Sequence, residues 1–399
     1  MKKIIFALLT FIITLSGNAT PFKIEGKIKG LMPGDTLFFE QITLPGFKRD
    51  FAFEVIVENE DEFTYSGSHK DIGYYMMTYK PVIGKAISGD RGGITMLLKD
   101  GTTRITGTTA QIYYCQLEGD LYENKLFQKV MHLEDSLGKK RGNFGRLIEE
   151  AYALKDTVKA QEYADKFNSF HFNHKEDYQR LSKLKEEFYD KFPSSEHTLL
   201  SALQRVNSTP LETTKGKYEN MDEKAKNSHF GKALKQELDK ITALQPGKKA
   251  PDFHLIGLNG EEITLEDCAG SYVLIYHWGM CPGSFMIDSK VIELHNKYKD
   301  HLIVVGITDR IETIKSMNEK TKPGSKLMNI ELKPVLENML THPWFDAEKV
   351  DGNEKIEKDY AFAGLPYFVF ISPEGKIIAR DFHKAFNTAT EKMEAEFGD

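Results

Sequence analysis

One cysteine stands where a side chain could act as a nucleophile. Cys281 follows an apolar and aromatic run, 272–278, and precedes a stretch with helical periodicity. A strand that turns into a helix here places the sulfur at a helix N-terminus, where free N–H groups and partial positive charge stabilise a thiolate. Pro282 suits the first helical position because it has no N–H, and Gly283 lets another backbone segment approach. We therefore predict a reactive thiol at Cys281; an inert cysteine at a helix start is the alternative.

Ser284, three residues after Cys281, is the second candidate catalytic residue. Its hydroxyl can hydrogen-bond a thiolate, but it cannot form a disulfide. Cys268 precedes the 272–278 strand, whose rise of about 3.3 Å per residue separates its two ends by roughly 20 Å. A disulfide needs Cα atoms within about 7 Å of each other. The third cysteine, Cys115, could reach Cys281 only if distant parts of the chain fold together. We therefore predict a site with a single sulfur.

A metal-like pattern lies in the middle of the chain. His171, His174 and Asp177 are three residues apart and could share a helix face. Isolated histidine spacing has a high false-positive rate, and the neighbouring residues are polar. We favour a solvated polar face, and we expect no metal site and no cofactor.

The elements that position Cys281 alternate between strand and helix. After the 272–278 strand, a helix carries one apolar stripe, and residues 302–307 form a second buried strand. The stripe consists of Ile287, Val291, Leu294 and Tyr298. This alternation predicts a βαβ unit with parallel strands. Segments 367–371 and 376–380 flank a Ser-Pro-Glu-Gly turn, which predicts a hairpin, and a last helix is expected at 388–397.

Three segments of the C-terminal region carry a family resemblance. They are Gly-Lys-Lys-Ala-Pro-Asp-Phe at 247–253, the strand 272–276 ahead of the cysteine, and Gly-Leu-Pro-Tyr at 364–367. By these motifs, residues 245–399 resemble the thioredoxin superfamily, in its TlpA and AhpC/TSA-like branch. The resemblance implies an α/β thioredoxin fold. It also implies a cis peptide bond between Leu365 and Pro366, beside Cys281.

The resemblance further implies a binding groove at this loop. Pro366 would shape a groove for an extended substrate chain, and Leu365 would offer its backbone groups in a β-type contact. Together with Pro282 and Gly283, these are the implied substrate-binding residues. The implied partners are protein substrates that contain disulfides or thiols, and a membrane-bound reductant is an additional candidate partner.

The chain departs from this family at one position. The family's dithiol motif is Cys-x-x-Cys, and its second sulfur releases the bound substrate. Here Ser284 stands in that place. One hypothesis is a thiol–disulfide oxidoreductase in which Cys281 works alone, by monothiol exchange or isomerisation. The other is a catalytically degenerate module that binds partners or acts as a scaffold, since fold does not imply function.

A peroxidase is a third hypothesis, which we disfavour. Peroxiredoxins resemble this domain, but they place a threonine three residues before the cysteine, where this chain has Trp278. Arg310 could imitate the activating arginine of that family. It follows a predicted strand, however, where solvated arginines are common.

The region ahead of the C-terminal domain has two different periodicities. Residues 20–118 alternate with period two and predict an all-β, sandwich-like domain of short strands. Residues 119–244 show helical stripes and predict an α-helical linker domain. We expect its first helix to start near Asp120 and to end at Gly138. The predicted fold class is therefore multi-domain, with a β domain, a helical region and an α/β thioredoxin fold at 245–399.

The first residues and the composition bear on location and partners. Residues 1–19 combine an early Lys-Lys pair, a short apolar run and small residues, which predicts a secretion signal cleaved after Ala19. We expect a protein exported across the inner membrane to the periplasm or cell envelope. The formal net charge is −6, and an acidic chain gives no electrostatic support for nucleic-acid binding.

Overall fold

The computed structural model describes residues 20–44, 47–69, 72–82, 93–327, 330–350 and 352–398. The predicted signal segment, 1–19, lies outside the described residues. The chain divides into two compact units. The first unit contains the residues up to 204 and residues 220–233, and the second contains 205–219 and the residues from 234 onward. Among the described residues, no helix combines the length and apolar character needed to cross a bilayer.

The first unit begins with β-strands that form two four-stranded sheets. The strands are β1 (Thr20–Lys29), β2 (Thr36–Thr43), β3 (Lys48–Ile56), β4 (Glu62–His69), β5 (Gly73–Lys80), β6 (Gly93–Leu98), β7 (Gly101–Thr108) and β8 (Gln116–Glu118). Their order is β4-β1-β7-β8 in one sheet and β3-β2-β5-β6 in the other. Ile24 and Ile105 of the first sheet share a core with Leu37, Phe39 and Met77 of the second. The predicted β sandwich is therefore confirmed.

Helices dominate the middle of the chain. They are α1 (Lys125–Ala153), α2 (Thr157–Asn173), α3 (Lys175–Lys191), α4 (Glu196–Arg205), α5 (Leu211–Glu219), α6 (Glu223–Asn227) and α7 (His229–Ala243). The first unit contains α1 to α3 together with both β-sheets. The division of that unit into a β domain and a helical linker domain stays a prediction.

Both predicted ends of α1 are wrong. The helix begins at Lys125 because the Asn124 side chain caps it, accepting hydrogen bonds from two N–H groups of the first turn. It also runs through Gly138 to Ala153. At Gly138 a Cβ atom would lie 2.9 Å from a ring atom of Tyr114. Close packing against that ring, and not a helix end, therefore accounts for the glycine.

The second unit is built on a five-stranded mixed sheet. Besides α5 and most of α7, its elements are β9 (His254–Ile256), β10 (Glu262–Thr264), β11 (Tyr272–His277), α8 (Pro282–Tyr298), β12 (Leu302–Thr308), α9 (Ile311–Lys320), β13 (Lys326–Leu327), β14 (Ile330–Glu331), α10 (Leu332–Leu340), β15 (Phe345–Glu348), α11 (Lys355–Asp359), β16 (Tyr367–Ile371), β17 (Ile377–Asp381) and α12 (Lys384–Phe397). The strand order is β15-β12-β11-β16-β17. Strand β11 is central, parallel to β12 and antiparallel to β16.

Burial of β11 explains its continuous apolar sequence. All six of its residues are buried, as expected for a central strand with both faces covered. Tyr276 and the following Trp278 are among the largest fully buried side chains of the described residues. The whole predicted α8 stripe is buried in the same core. The βαβ unit and the final hairpin are confirmed, although α12 begins at Lys384, four residues earlier than expected.

Candidate active site

Cys281 lies at the junction of the central strand and helix α8. Strand β11 ends at His277, and the helix begins at Pro282. Cys281 is the N-cap residue, with extended backbone angles, and its Sγ accepts a hydrogen bond from the N–H of Ser284 at 3.3 Å. Oxygen side chains usually fill this position. Here the Cys281 sulfur accepts a hydrogen bond from one of the N–H groups that have no partner within the helix.

The side chain of Ser284 lies beneath this sulfur. Its Oγ is 3.3 Å from the Sγ of Cys281 and accepts a 3.3 Å hydrogen bond from the N–H of Gly279. Ser284 is fully buried, whereas Cys281 is partly exposed. Cys281 therefore keeps part of its surface in contact with solvent, while the buried Ser284 hydroxyl contacts its sulfur from the protein interior.

The loop before β16 closes the other side of the site. The peptide bond between Leu365 and Pro366 is cis, as the resemblance implies. A Cβ atom on Gly283 would lie 2.7 Å from Cδ of Pro366 and 3.8 Å from the Cys281 sulfur. Only a glycine lets the helix start and this loop approach so closely. The structure thus brings the predicted residues, including Pro282, to one place, and their role in substrate binding stays a prediction.

His277 supports the same loop from beneath. Its Nδ1 lies 3.1 Å from the carbonyl oxygen of Gly364. Burial, reinforced by the charge of Lys349, lowers the pKa of His277 to about 3. The ring is therefore neutral at physiological pH, and Nδ1 must carry its proton to donate to that carbonyl.

Cys268 lies in a short helical turn, Glu266–Cys268, ahead of β11. The length of that strand separates it from Cys281, which follows the strand's other end. Its thiol donates to the carbonyl of Thr264, and burial raises its pKa to about 11, helped by Asp267. Such a thiol is a poor nucleophile at neutral pH. Cys115 is buried in the first unit.

A cluster of charged side chains is buried behind residues 278–281, the turn between β11 and α8 that we call the active-site turn. We call Asp288, His342 and Asp346 the buried polar cluster. His342 contacts Asp288 through Nε2 at 3.0 Å and Asp346 through Nδ1 at 2.7 Å. Trp278 donates to Asp346 at 2.9 Å, and the Tyr276 hydroxyl donates to Asp288 at 3.4 Å. The cluster therefore joins helix α8, strand β11 and strand β15.

The charge of this cluster follows from its hydrogen bonds. Burial opposes a charge on His342, but the hydrogen bonds to Asp288 and Asp346 outweigh it and raise its pKa to about 9. At neutral pH the imidazole is therefore a cation that donates from both nitrogens.

The sequence interpretation missed this cluster. The available signal was Asp288, an acidic residue that follows the buried Ser284 by one helical turn and sits beside the apolar stripe of α8. His342 and Asp346 belong to none of the motifs singled out in the sequence. Their proximity to Asp288 depends on the pairing of β12 with β15, which local periodicity does not reveal.

The other residues singled out in the sequence lie apart from this site or are solvated. Helix α2 ends at Asn173 and α3 begins at Lys175, with His174 between them in a non-helical conformation. His171, His174 and Asp177 therefore do not share one helix face. No group of side chains with metal-binding geometry is found in the described parts of the chain. Arg310 has a side chain that is 65% exposed and 3.9 Å from Asp309.

A central strand that leads into a helix capped by a cysteine, opposite a cis-proline loop, defines a thioredoxin-fold domain. The comparisons agree with this class. Residues 246–380 match the model of the AhpC/TSA family, which confirms the resemblance of the C-terminal domain.

Two curated relatives and three solved structures illustrate what this domain is similar to. The thiol-disulfide oxidoreductases ResA of Bacillus thuringiensis and Bacillus anthracis are each 28% identical over 137 residues, 34% of this chain and 68% of each relative. The thioredoxin domain of a Bacteroides vulgatus thiol-disulfide oxidoreductase is 21% identical, with a TM-score of 0.28, covering 37% of this chain and 98% of its own. A putative interchange protein DsbE from Chlorobium tepidum is 23% identical, with a TM-score of 0.29 and coverages of 38% and 96%. A C-terminal domain from Bacteroides thetaiotaomicron is 21% identical, with a TM-score of 0.30 and coverages of 38% and 98%.

Proposed function

We propose that this protein is a thiol–disulfide oxidoreductase that works through the single sulfur of Cys281. The observation that carries this proposal is Cys281 itself, a partly exposed residue whose sulfur caps helix α8 opposite the Pro366 loop. The sulfur lies at the helix N-terminus and accepts a hydrogen bond from the N–H of Ser284, and it attacks a disulfide as the thiolate. The names of the ResA relatives support the same reaction class.

The reaction begins with attack of the Cys281 thiolate on one sulfur of a substrate disulfide. The substrate S–S bond breaks, its second sulfur leaves as a thiolate, and a mixed disulfide forms on Cys281. Ser284 cannot displace the substrate, because a hydroxyl does not replace a thiolate in this exchange. A second thiol of the substrate then attacks the substrate sulfur of the mixed disulfide and releases Cys281 as a thiolate, which gives isomerisation. In the other route a small thiol attacks the Cys281 sulfur and the substrate leaves with both of its sulfurs reduced. A second small thiol then releases Cys281 as a small-molecule disulfide forms, which completes the reduction.

The groove between the α8 start and the Pro366 loop is the proposed binding site. Gly283 and Pro366 are packed together, and Leu365 is half-buried beside them. An extended substrate chain would pair with the backbone of Leu365. This contact would hold the substrate sulfur against Cys281, while Pro282 forms the exposed rim of the site.

We place this activity outside the cytoplasm, on the basis of the signal pattern at 1–19. Disulfides persist there, and a membrane-bound reductant would supply the thiols that regenerate Cys281. Terminal sequencing of protein taken from the cell envelope tests this location. The expected mature chain starts at Thr20. A chain that keeps Met1 and stays in the cytoplasm would refute it.

The activity is tested by disulfide exchange on a scrambled protein substrate. We expect Cys281→Ala to abolish exchange, and Cys268→Ala to retain it as a matched control. Unchanged exchange in Cys281→Ala would refute the proposal. Wild-type protein that binds peptides but exchanges no disulfides would favour a binding module, the second candidate, which rests on Ser284 in place of a second sulfur.

A further inference from the structure

The loop that leads into β16 is partly buried and has no regular secondary structure. It comprises residues 360–366, between α11 and β16. The N–H groups of its first three residues, Tyr360 to Phe362, donate to carbonyl groups of α11. These bonds fix the start of the loop, but the carbonyl groups of the loop need other partners, because buried backbone groups are costly to leave unpaired.

Two side chains of the central sheet supply those partners. His277 of β11 donates from Nδ1 to the carbonyl of Gly364 at 3.1 Å. Arg380 of β17 donates from Nη2 to the carbonyls of Tyr360 and Ala361, at 3.2 and 2.8 Å. His277 is buried and Arg380 is half-buried. We call these two side chains the loop clamp.

The loop clamp spans the strand that the loop enters. Strand β16 lies between β11 and β17 in the sheet. His277 is paired with Tyr367, and Arg380 is paired with Val369, two residues further along β16. Positions two apart on a strand face the same side, so both donors project from one face of the sheet. The Arg380 guanidinium also lies 5.6 Å from the centre of the Tyr367 ring.

Ring packing and backbone conformation both depend on the loop clamp. The Phe362 ring is stacked on that of His277, with centres 4.6 Å apart, and lies 5.9 Å from that of Tyr367. Ala361 has a φ angle of 48°, which residues other than glycine rarely adopt. Its carbonyl is one of the two that accept from Arg380. The loop clamp therefore stabilises a conformation that this residue alone does not favour.

We propose that His277 and Arg380 are positioning residues, which hold the 360–366 loop so that the backbone of Leu365 is aligned to pair with an extended substrate chain. The inference rests on the groove described in the proposed function, because it explains how one wall of that groove is kept in place. A loop that samples other conformations binds its ligand more weakly, in proportion to the fraction that stays competent. The hydrogen bonds of both side chains go to the loop and not to Cys281, so their loss should affect binding more than the chemistry of the sulfur.

Two substitutions at position 277 separate the hydrogen bond from the ring packing. His277→Phe keeps an aromatic ring against Phe362 and removes the donor. His277→Asn removes the ring and keeps an N–H donor near the position of Nδ1. His301→Phe is the matched control, because the His301 ring is stacked on that of Phe397 at 3.9 Å, ahead of β12 and at the opposite end of the sheet.

Binding is measured with the full chain and a probe that cannot react. The probe is the reduced and alkylated form of the scrambled protein substrate, labelled with fluorescein and followed by anisotropy. We expect His277→Phe to raise the Kd about tenfold, which corresponds to about 1.4 kcal/mol, because the Gly364 carbonyl loses its partner. His277→Asn should stay within about threefold of wild type, and His301→Phe should equal wild type.

Disulfide exchange and alkylation show which step the loop clamp affects. In exchange, the KM of His277→Phe should rise about tenfold while kcat changes less than about twofold, as for loss of a contact that acts on binding. Alkylation of Cys281 by iodoacetamide needs no bound chain, so its rate should be the same in all variants. Arg380→Met, checked for folding by tryptophan fluorescence, is a second variant that should also weaken binding of the probe.

Several outcomes would overturn the inference. Equal Kd values for His277→Phe and His301→Phe, weaker binding by His277→Asn than by His277→Phe, or wild-type protein that does not bind the probe would each contradict it. A fall in the Cys281 alkylation rate that matches the loss of binding would show that His277 acts on the sulfur instead. Wild-type protein that binds the probe through the loop clamp but exchanges no disulfides would contradict the proposed oxidoreductase activity and support the positioning role.

Discussion

The buried polar cluster makes the stability of the second unit depend on alkaline pH. The His342 side chain is fully buried between Asp288 and Asp346. Its pKa is raised from 6.5 to about 9 in the folded protein. A raised pKa means that the folded state binds the proton more tightly than the unfolded chain does. The stabilisation is therefore complete below pH 6.5 and is lost as the pH rises through about 9.

The size of this effect follows from the same two values. The interval between 6.5 and about 9, at about 1.4 kcal/mol for each pH unit, corresponds to about 3 kcal/mol of unfolding free energy. Because the side chain is shielded from solvent, salt should screen this contribution only weakly. That amount is a large share of the roughly 5–15 kcal/mol that stabilises an ordinary domain.

The chain supplies its own probe for this measurement. Its two tryptophans, Trp278 and Trp344, both donate to Asp346. Urea unfolding followed by tryptophan fluorescence therefore reports the second unit. We expect the unfolding free energy of the wild type to fall by about 3 kcal/mol between pH 6.5 and 9.

Two variants isolate the cause. His342→Gln should be less stable at pH 6.5, by about 3–5 kcal/mol, because it leaves two buried carboxylates without their cation, and its stability should change little between pH 6.5 and 9. His254→Gln is the control, because that histidine pairs with Glu262 on the surface, where both side chains are more than half exposed. It should follow the wild-type curve. A His342→Gln variant with the same pH dependence as wild type would refute this reasoning.

Three further predictions concern the active-site turn. Ser284→Cys places a second sulfur beside Cys281, and it should shorten the lifetime of trapped mixed disulfides by at least about tenfold, measured by gel shift after acid quenching. Gly283→Ala should lower stability by about 1–3 kcal/mol and slow exchange, because its Cβ would meet a proline ring at 2.7 Å. Gly216→Ala is the control, since a Cβ there meets no atom within 4 Å, and an equal loss in both variants would contradict the steric explanation. Burial lowers the pKa of His277 from 6.5 in the unfolded chain to about 3 in the folded protein. As the pH falls below about 6.5, the unfolded chain therefore binds a proton that the folded protein does not, and the free energy of unfolding decreases. His277→Gln should lose less stability than wild type between about pH 6 and 4 in urea unfolding, and parallel curves would show that this ring does not titrate on unfolding.

Local periodicity was enough to predict the frame of the active site. The unbroken apolar run before Cys281 is short and rich in aromatic and β-branched residues, which favoured a buried strand, and the stripe after it had the spacing of a helix face. The turn between them therefore followed, with the cysteine at the helix start. The cis bond before Pro366 came from the family resemblance, because local sequence favours trans at most X–Pro bonds.

Helix ends were harder to predict where packing decides them. Gly138 is a common type of helix end, but here the helix continues because its lack of a side chain admits the Tyr114 ring. The start of the same helix depended on Asn124, a capping residue four positions after the one expected. At Gly138 a contact distant in sequence therefore overrode the local signal, whereas the helix start followed a second local signal, the cap at Asn124.

The amino-acid order by itself determined that a lone sulfur follows a buried strand and begins a helix, with a serine one turn into that helix. Tertiary structure alone decided what lies beneath that sulfur. Asp288 is on α8, while His342 and Asp346 are more than fifty residues away, and pairing of β15 with β12 brings them together. Whether a histidine is charged depends on the burial and hydrogen bonds that folding creates around it. For this reason, no spacing rule could have placed a charged histidine between two buried carboxyl groups behind this site.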